Sequence, residues 1–140
     1  VAFSADSRML ASGSTDCTAR LWEVETGRCL QVLQGHGDWI NAIAFHPSQR
    51  ILATASADRT VKLWDCVTGQ CLHSLSQHSA KVLGVAFSPD GQQLASCGAD
   101  QTIQLWEVAT GAPLQTLVGH DSRVWSVAFS PDGRALASGS

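Results

Sequence analysis

Apolar and polar residues alternate along this chain with a period near two, and clusters of turn residues interrupt the alternation every eight to ten positions. That pattern predicts short antiparallel strands. Between residues 40 and 75 it predicts four of them: Ile40 to Phe45, Ile51 to Ser56, Val61 to Trp64 and Cys71 to Leu75. The turn before the second strand reads Ser-Pro-Asp-Gly in two places, residues 88–91 and 130–133. Pro presets φ and Gly supplies a positive φ at low cost, so the motif encodes a tight turn. The turn before the fourth strand contains Thr-Gly at Thr26-Gly27, Thr68-Gly69 and Thr110-Gly111, a second hairpin signal. No stretch carries a helical stripe. The class is all-β.

The same set of strands returns every 42 residues. Val1-Ala2-Phe3-Ser4 recurs as Ile43-Ala44-Phe45-His46, Val85-Ala86-Phe87-Ser88 and Val127-Ala128-Phe129-Ser130, and Leu21-Trp22-Glu23 recurs as Leu63-Trp64-Asp65 and Leu105-Trp106-Glu107. The units are 1–42, 43–84, 85–126 and a partial 127–140. A fixed period of this size marks a repeat architecture. With four short strands per unit, it predicts β-propeller blades. The ring is then incomplete and open, with about three and a third blades, and the chain is expected to be a segment of a longer protein. Within the first strand, Val124 and Val127 lie three apart and Val127 and Phe129 two apart. If all three point inward, an extra residue must be absorbed near Trp125 and Ser126, which predicts a β-bulge. The small residue repeated at Ala2, Ala44, Ala86 and Ala128 fits a crowded innermost strand.

At this point the chain resembles the WD-repeat β-propeller family. The matching residues are Gly-His at 35–36 and 119–120, an Asp in the turn before the third strand, and Trp-Asp or Trp-Glu at that strand's end. The resemblance covers the whole chain, and the likeness between neighbouring units is similar to that of long bacterial tandem WD-repeat proteins, often joined to signalling NTPase or kinase domains. WD-repeat rings most often close at about seven blades, so two apolar sheet faces are expected to lie bare here. An isolated segment is then expected to self-associate.

Each unit also assembles a His, an Asp, a Ser or Thr, and a Trp. The complete sets are His36, Thr54, Asp58, Trp64 and His78, Ser96, Asp100, Trp106; partial sets are Ser12, Asp16, Trp22 and His120, Ser138. On residue types alone these could be the nucleophile, base and orienter of a hydrolase. A catalytic centre is needed once, however, and this set recurs at one spacing. The resemblance implies an internal network instead. The indole N–H of Trp64 would meet the Thr54 hydroxyl, which would meet the His36 imidazole, which Asp58 would fix. In the third unit Gln77 stands where Gly is expected before His78, so the turn there is expected to differ. The three repeating histidines fall on separate blades, too far apart to share a metal ion. No cofactor is implied.

Positions that vary between units carry what is particular to this protein. They lie after each His and before each turn Asp, the latter being Thr15, Ala57 and Ala99. The resemblance places them, exposed, on one face of the disc, where a protein or peptide ligand docks. Trp39 and Trp125 are the only tryptophans outside the repeating position. Trp and Arg are enriched in interface hot spots, so Trp39, Lys81, Arg123 and Trp125 are the candidate partner-binding residues. The leading reading is a non-catalytic interaction scaffold or sensor module, not an enzyme; the competing one is the Ser-His-Asp hydrolase.

A net charge of −3 without any Lys/Arg cluster argues against nucleic acid or an anionic membrane as partner. No apolar run is long enough to span a bilayer. The five cysteines show no C-x-x-C spacing, which argues against zinc. Only Cys66 and Cys71 are placed to bridge, across a hairpin. Reduced thiols acting as small hydrophobes, in a cytoplasmic protein, fit best.

Overall fold

The computed structural model describes all residues 1–140 and contains fourteen strands and no helix. The first blade comprises β1 (Ala2–Phe3), β2 (Met9–Gly13), β3 (Thr18–Glu23) and β4 (Cys29–Gln34). The second comprises β5 (Ile40–Phe45), β6 (Ile51–Ser56), β7 (Val61–Asp65) and β8 (Cys71–Leu75). The third comprises β9 (Val82–Phe87), β10 (Gln93–Gly98), β11 (Ile103–Glu107) and β12 (Pro113–Leu117). A two-stranded sheet of β13 (Ser126–Phe129) and β14 (Leu136–Gly139) follows. Each blade is an antiparallel meander in chain order, and the four sheets form an unclosed ring. The predicted strands of the second blade match β5 to β8, except that β7 runs one residue further, to Asp65. The second and third sheets start three residues ahead of the sequence unit, at Ile40 and Val82, so the repeat frame enters their first strand midway.

A bulge of the predicted kind is present in the second and third blades. The β5–β6 register shifts between Ile40 and Ala42, and the β9–β10 register shifts between the partners Gly84 and Val82. Asn41 and Leu83 are the skipped residues, at the same repeat position as Trp125. In the last sheet the ladder opens at Ser126, and Trp125 N–H donates to the Gly139 carbonyl at 2.8 Å.

Turn chemistry follows the residues. In the third blade Ser88 Oγ donates to Asp90 Oδ1 at 2.6 Å, and Gly91 sits at φ +73°. Ser7 takes that left-handed position in the first blade, at φ 57°. The second blade reads His46-Pro47-Ser48-Gln49 and builds its turn differently. His46 Nδ1 accepts the backbone N–H groups of Ser48 (3.1 Å) and Gln49 (2.9 Å). The turns between second and third strands hold Cys17, Arg59 and Gln101 at φ 68–74°. An Asx turn on the preceding Asp holds that conformation: Asp58 Oδ1 accepts both the N–H and the hydroxyl of Thr60, at 2.9 and 2.6 Å.

The core lies between blades. Leu21 and Leu33 of the first blade pack with Leu52, Trp64 and Cys66 of the second, and Leu63 and Leu75 of the second pack with Leu94, Trp106 and Val108 of the third. A third cluster joins Cys97 and Ile103 to Val124. Each fully buried Leu or Val contributes about 1.5–3 kcal/mol, so a blade is stable mainly through its neighbours.

Polar side-chain bonds reinforce the junctions between the first three blades. Asn41 Nδ2 donates to the Val82 carbonyl (2.8 Å), Gln31 Nε2 to the Val67 carbonyl (2.9 Å) and His73 Nε2 to the Ala109 carbonyl (3.2 Å). His46 uses its remaining ring nitrogen, Nε2, to donate to the Gly91 carbonyl at 3.0 Å, and its ring meets Phe87 edge-on.

Candidate functional site

The four-residue sets assemble because three elements converge at one end of each blade. The connection entering the blade supplies His, the second strand supplies the hydroxyl, and the third strand and its preceding turn supply Trp and Asp. In the second blade Trp64 Nε1 donates to Thr54 Oγ1 at 2.8 Å, Thr54 Oγ1 lies 2.6 Å from His36 Nε2, and His36 Nδ1 lies 2.8 Å from Asp58 Oδ2. The third blade repeats the geometry. Trp106 Nε1 reaches Ser96 Oγ at 2.9 Å, Ser96 Oγ lies 2.8 Å from His78 Nε2, and His78 Nδ1 lies 2.8 Å from Asp100 Oδ2. Gln77 does alter the backbone before His78. Gly35 and Gly119 adopt φ of 148° and 152°, whereas Gln77 avoids positive φ, and the bonds of its set close regardless.

Electrostatics assign the protons. Burial pushes the Asp58 carboxyl up, but hydrogen bonds from the Thr60 hydroxyl, the Gly37 N–H, His36 and the Thr60 N–H outweigh it and hold the group at about 2, against an ordinary 3.8. Burial pulls His36 below its usual value, more strongly than Asp58 raises it. The set is therefore a neutral imidazole beside a carboxylate. Nδ1–H donates to Asp58, Nε2 accepts the Thr54 O–H, and the Thr54 oxygen accepts the indole N–H. Every polar atom has a partner, and no buried side-chain nitrogen or oxygen in the chain lacks one.

The partial sets keep the bonds their residues allow. Trp22 Nε1 donates to Ser12 Oγ at 2.9 Å, and Asp16 caps its turn through Thr18. His120 Nε2 lies 2.7 Å from Ser138 Oγ in an exposed setting.

The four candidate binding residues lie on the connections between blades, at the same end as the sets. Trp39 and Trp125 are 52% and 57% exposed, and Lys81 and Arg123 are exposed as well. Lys81 Nζ sits 5.7 Å from the Trp39 ring centroid, a cation–π contact between successive connections. Of the positions before the turn Asp, Thr15 is exposed as expected and the other two differ. Ala57 is buried and Ala99 half-buried, because each N–H is bonded to a neighbouring connection, Ala57 to the Trp39 carbonyl and Ala99 to the Lys81 carbonyl, both at 2.8 Å. All five cysteines are free. Cys66 is buried while Cys71 is exposed, so the pair does not bridge. The His46, His73, Gln31 and Asn41 junction bonds escaped the sequence reading; for His46 the signal was its replacement of the Ser found in every other unit.

A family model described as "IFT122 first beta-propeller" matches residues 1–140. The chain belongs to this WD-repeat β-propeller family. It is similar to Lissencephaly-1 homolog from Heterostelium pallidum, 53% identical over 36 residues, and to Nuclear distribution protein PAC1 from Fusarium vanettenii, 50% identical over 36 residues. Each match covers 26% of this chain and only 9% and 8%, respectively, of those proteins. Among solved structures it is similar to "Structure of U3-55K", with a TM-score of 0.87 and 27% identity over 90% of this chain and 40% of that one. No helix of the WD-repeat chain is long and apolar enough to cross a membrane.

Proposed function

We propose that this chain is part of a non-catalytic protein-interaction scaffold or sensor module. A protein or peptide partner binds the face formed by the β4–β5, β8–β9 and β12–β13 connections, through Trp39, Lys81, Arg123 and Trp125. One observation carries the reading. The hydroxyl residues of the two complete sets, Thr54 and Ser96, are 0% exposed, and each hydroxyl oxygen accepts an indole N–H. A nucleophile must meet a substrate carbonyl beside an open oxyanion site; here the indole and the imidazole of the same set close on the buried hydroxyl. Recurrence of the set in successive blades further supports an internal brace that fixes blade geometry. The similarity to WD-repeat proteins points the same way.

The exposed Trp39–Lys81 pair and the exposed Trp125 suit a partner with an apolar or aromatic side chain beside acidic groups. Five unpaired thiols suit a reducing compartment, and we place the protein in the cytoplasm. The 42-residue units serve as the building steps of the ring, and an isolated segment would associate with itself through exposed apolar residues such as Phe3.

Affinity capture with the unaltered chain and with Trp39→Ala plus Arg123→Ala tests the face. The variant is expected to lose the partner at least about tenfold, and unchanged recovery removes the assignment. A serine-directed fluorophosphonate probe is expected to label no site stoichiometrically. One fully labelled serine would reinstate the hydrolase.

A further inference from the structure

At the end of the blades opposite the Trp39 face, a groove of about 680 Å³ runs between the second and third blades. Its volume is in the range that holds a small ligand or a few peptide residues. Ile51 and Leu63 line its floor, and Leu72 and Leu114, 44% and 50% exposed, flank it. Asp90 and Glu107 stand at its edge, both exposed. Neither carboxylate is paired with a cation anywhere in the chain, and no Lys or Arg lines the groove.

The repeat provides an internal comparison. At the junction of the first and second blades, the positions of Asp90, Gly91 and Gln92 are held by Ser48, Gln49 and Arg50. That junction has lost one carboxylate, gained a cation and placed a side chain where the other has none. After the third blade, Asp132 and Gly133 restore the turn, but the two-stranded sheet supplies no counterpart of Glu107. The groove at the first-and-second-blade junction is lined by Asp6, Glu23 and Glu25 but also by Arg8 and Arg50, whereas the groove between the second and third blades combines its two carboxylates and apolar floor with no Lys or Arg. Its wall is fixed: His46 is buried and holds the Gly91 carbonyl, so the groove is preformed.

We propose that this groove docks a short peptide segment of a partner protein in which a Leu-like apolar side chain sits next to Arg or Lys. The apolar side chain enters between Leu72 and Leu114, and the cation meets Glu107 and Asp90. Complementarity of charge selects the occupant, since an apolar cleft rimmed by two unpaired carboxylates repels acidic segments and leaves neutral ones without a partner for the rim. The Ser88 hydroxyl and the Gln92 N–H hold the Asp90 carboxyl below its ordinary value, so it is ionised at neutral pH. This surface is separate from the Trp39 face, and neither reading depends on the other.

The test is an octapeptide array with a fixed Leu, flanked at each spacing by Arg, Lys, Gln or Glu, probed with the fluorescently labelled chain. Peptides with Arg or Lys within two residues of Leu are expected to bind at least about tenfold better than their Gln counterparts. Glu107→Arg should reverse that preference toward Glu, Leu114→Asp should abolish binding, and Trp39→Ala should leave the pattern unchanged. Should Glu107→Arg fail to fold, Glu107→Gln carries the test and should flatten the preference. A featureless array, a basic preference that survives both Glu107 variants, or a pattern lost in Trp39→Ala overturns the proposal.

Discussion

Gly91 and Gly133 occupy one repeat position and share one backbone conformation, φ +73° and +70°. Substituting each by Ala separates two costs that are usually confounded. At Gly133 an added Cβ meets only Pro89 Cδ at 3.6 Å, an ordinary contact. The left-handed conformation costs an L-residue about 1–2 kcal/mol, and reduced freedom of the unfolded chain returns about 0.4–1 kcal/mol. Gly133→Ala should therefore destabilise by about 1 kcal/mol or less. Gly27→Ala is a second control, at φ +70° with nothing within 4 Å. At Gly91 the Cβ would overlap the His46 ring at Nε2, so the imidazole must leave its seat. Three hydrogen bonds go with it, to the Ser48 and Gln49 N–H groups and the Gly91 carbonyl. At about 0.5–1.5 kcal/mol each, less what water restores at the exposed turn, eviction adds about 2 kcal/mol. Gly91→Ala should thus cost about 3 kcal/mol in urea unfolding followed by tryptophan fluorescence. In the His46→Ala background most of that excess should vanish, a coupling of about 2 kcal/mol. If Gly91→Ala matches both controls within about 0.5 kcal/mol, or adds fully to His46→Ala, His46 is not the strut between these blades.

Further outcomes follow from the buried sets and the thiols. Trp64→Phe and Trp106→Phe leave a buried hydroxyl oxygen without its donor and should each cost about 1–3 kcal/mol; Trp22→Phe should cost less, because Ser12 is half-buried and its set has no His. Stability followed against pH should begin to fall below about 6.5, the ordinary imidazole value. His36 is held below that value, so the unfolded chain takes up a proton there that the folded chain refuses. A second loss should appear between 3.8 and about 2, where Asp58 still resists protonation in the folded state and the unfolded carboxyl does not. A His36→Gln variant that keeps the upper limb would remove the assignment to His36. Under native conditions near pH 8, a thiol reagent should modify Cys29 and Cys71 quickly. Cys66 and Cys97 should react only on unfolding, since both are buried and burial pushes their thiols to about 12 and 11.

How much of this was legible in the sequence depended on whether a residue's partner is named by a side chain. Strand limits, the bulge and the four-residue sets all rest on side chains that recur in register, so the period exposes them. The junction bonds do not. Gln31, Asn41, His46 and His73 all donate to backbone carbonyls of the following blade, and a carbonyl leaves no trace in residue identity. The groove was equally silent, because its carboxylates and leucines come from two blades whose spacing only the fold supplies. One feature was written in side chains yet could not be read without the register. Across the first two strands of the last three sheets, Ala42 pairs with Ala55, Gly84 with Cys97, and Ser126 with Gly139. A Cβ on Gly84 would come within 2.8 Å of Cys97 Sγ. Two alanines fit together at this crossing, a larger residue there is matched by a glycine opposite, and Cys97 is tolerated because Gly84 makes room. Gly84→Ala should therefore destabilise the chain, and Cys97→Ala should relieve part of that loss. The relief would be partial, because the same Cβ also meets the Trp125 carbonyl at 3.1 Å, and backbone, unlike a thiol, cannot be trimmed.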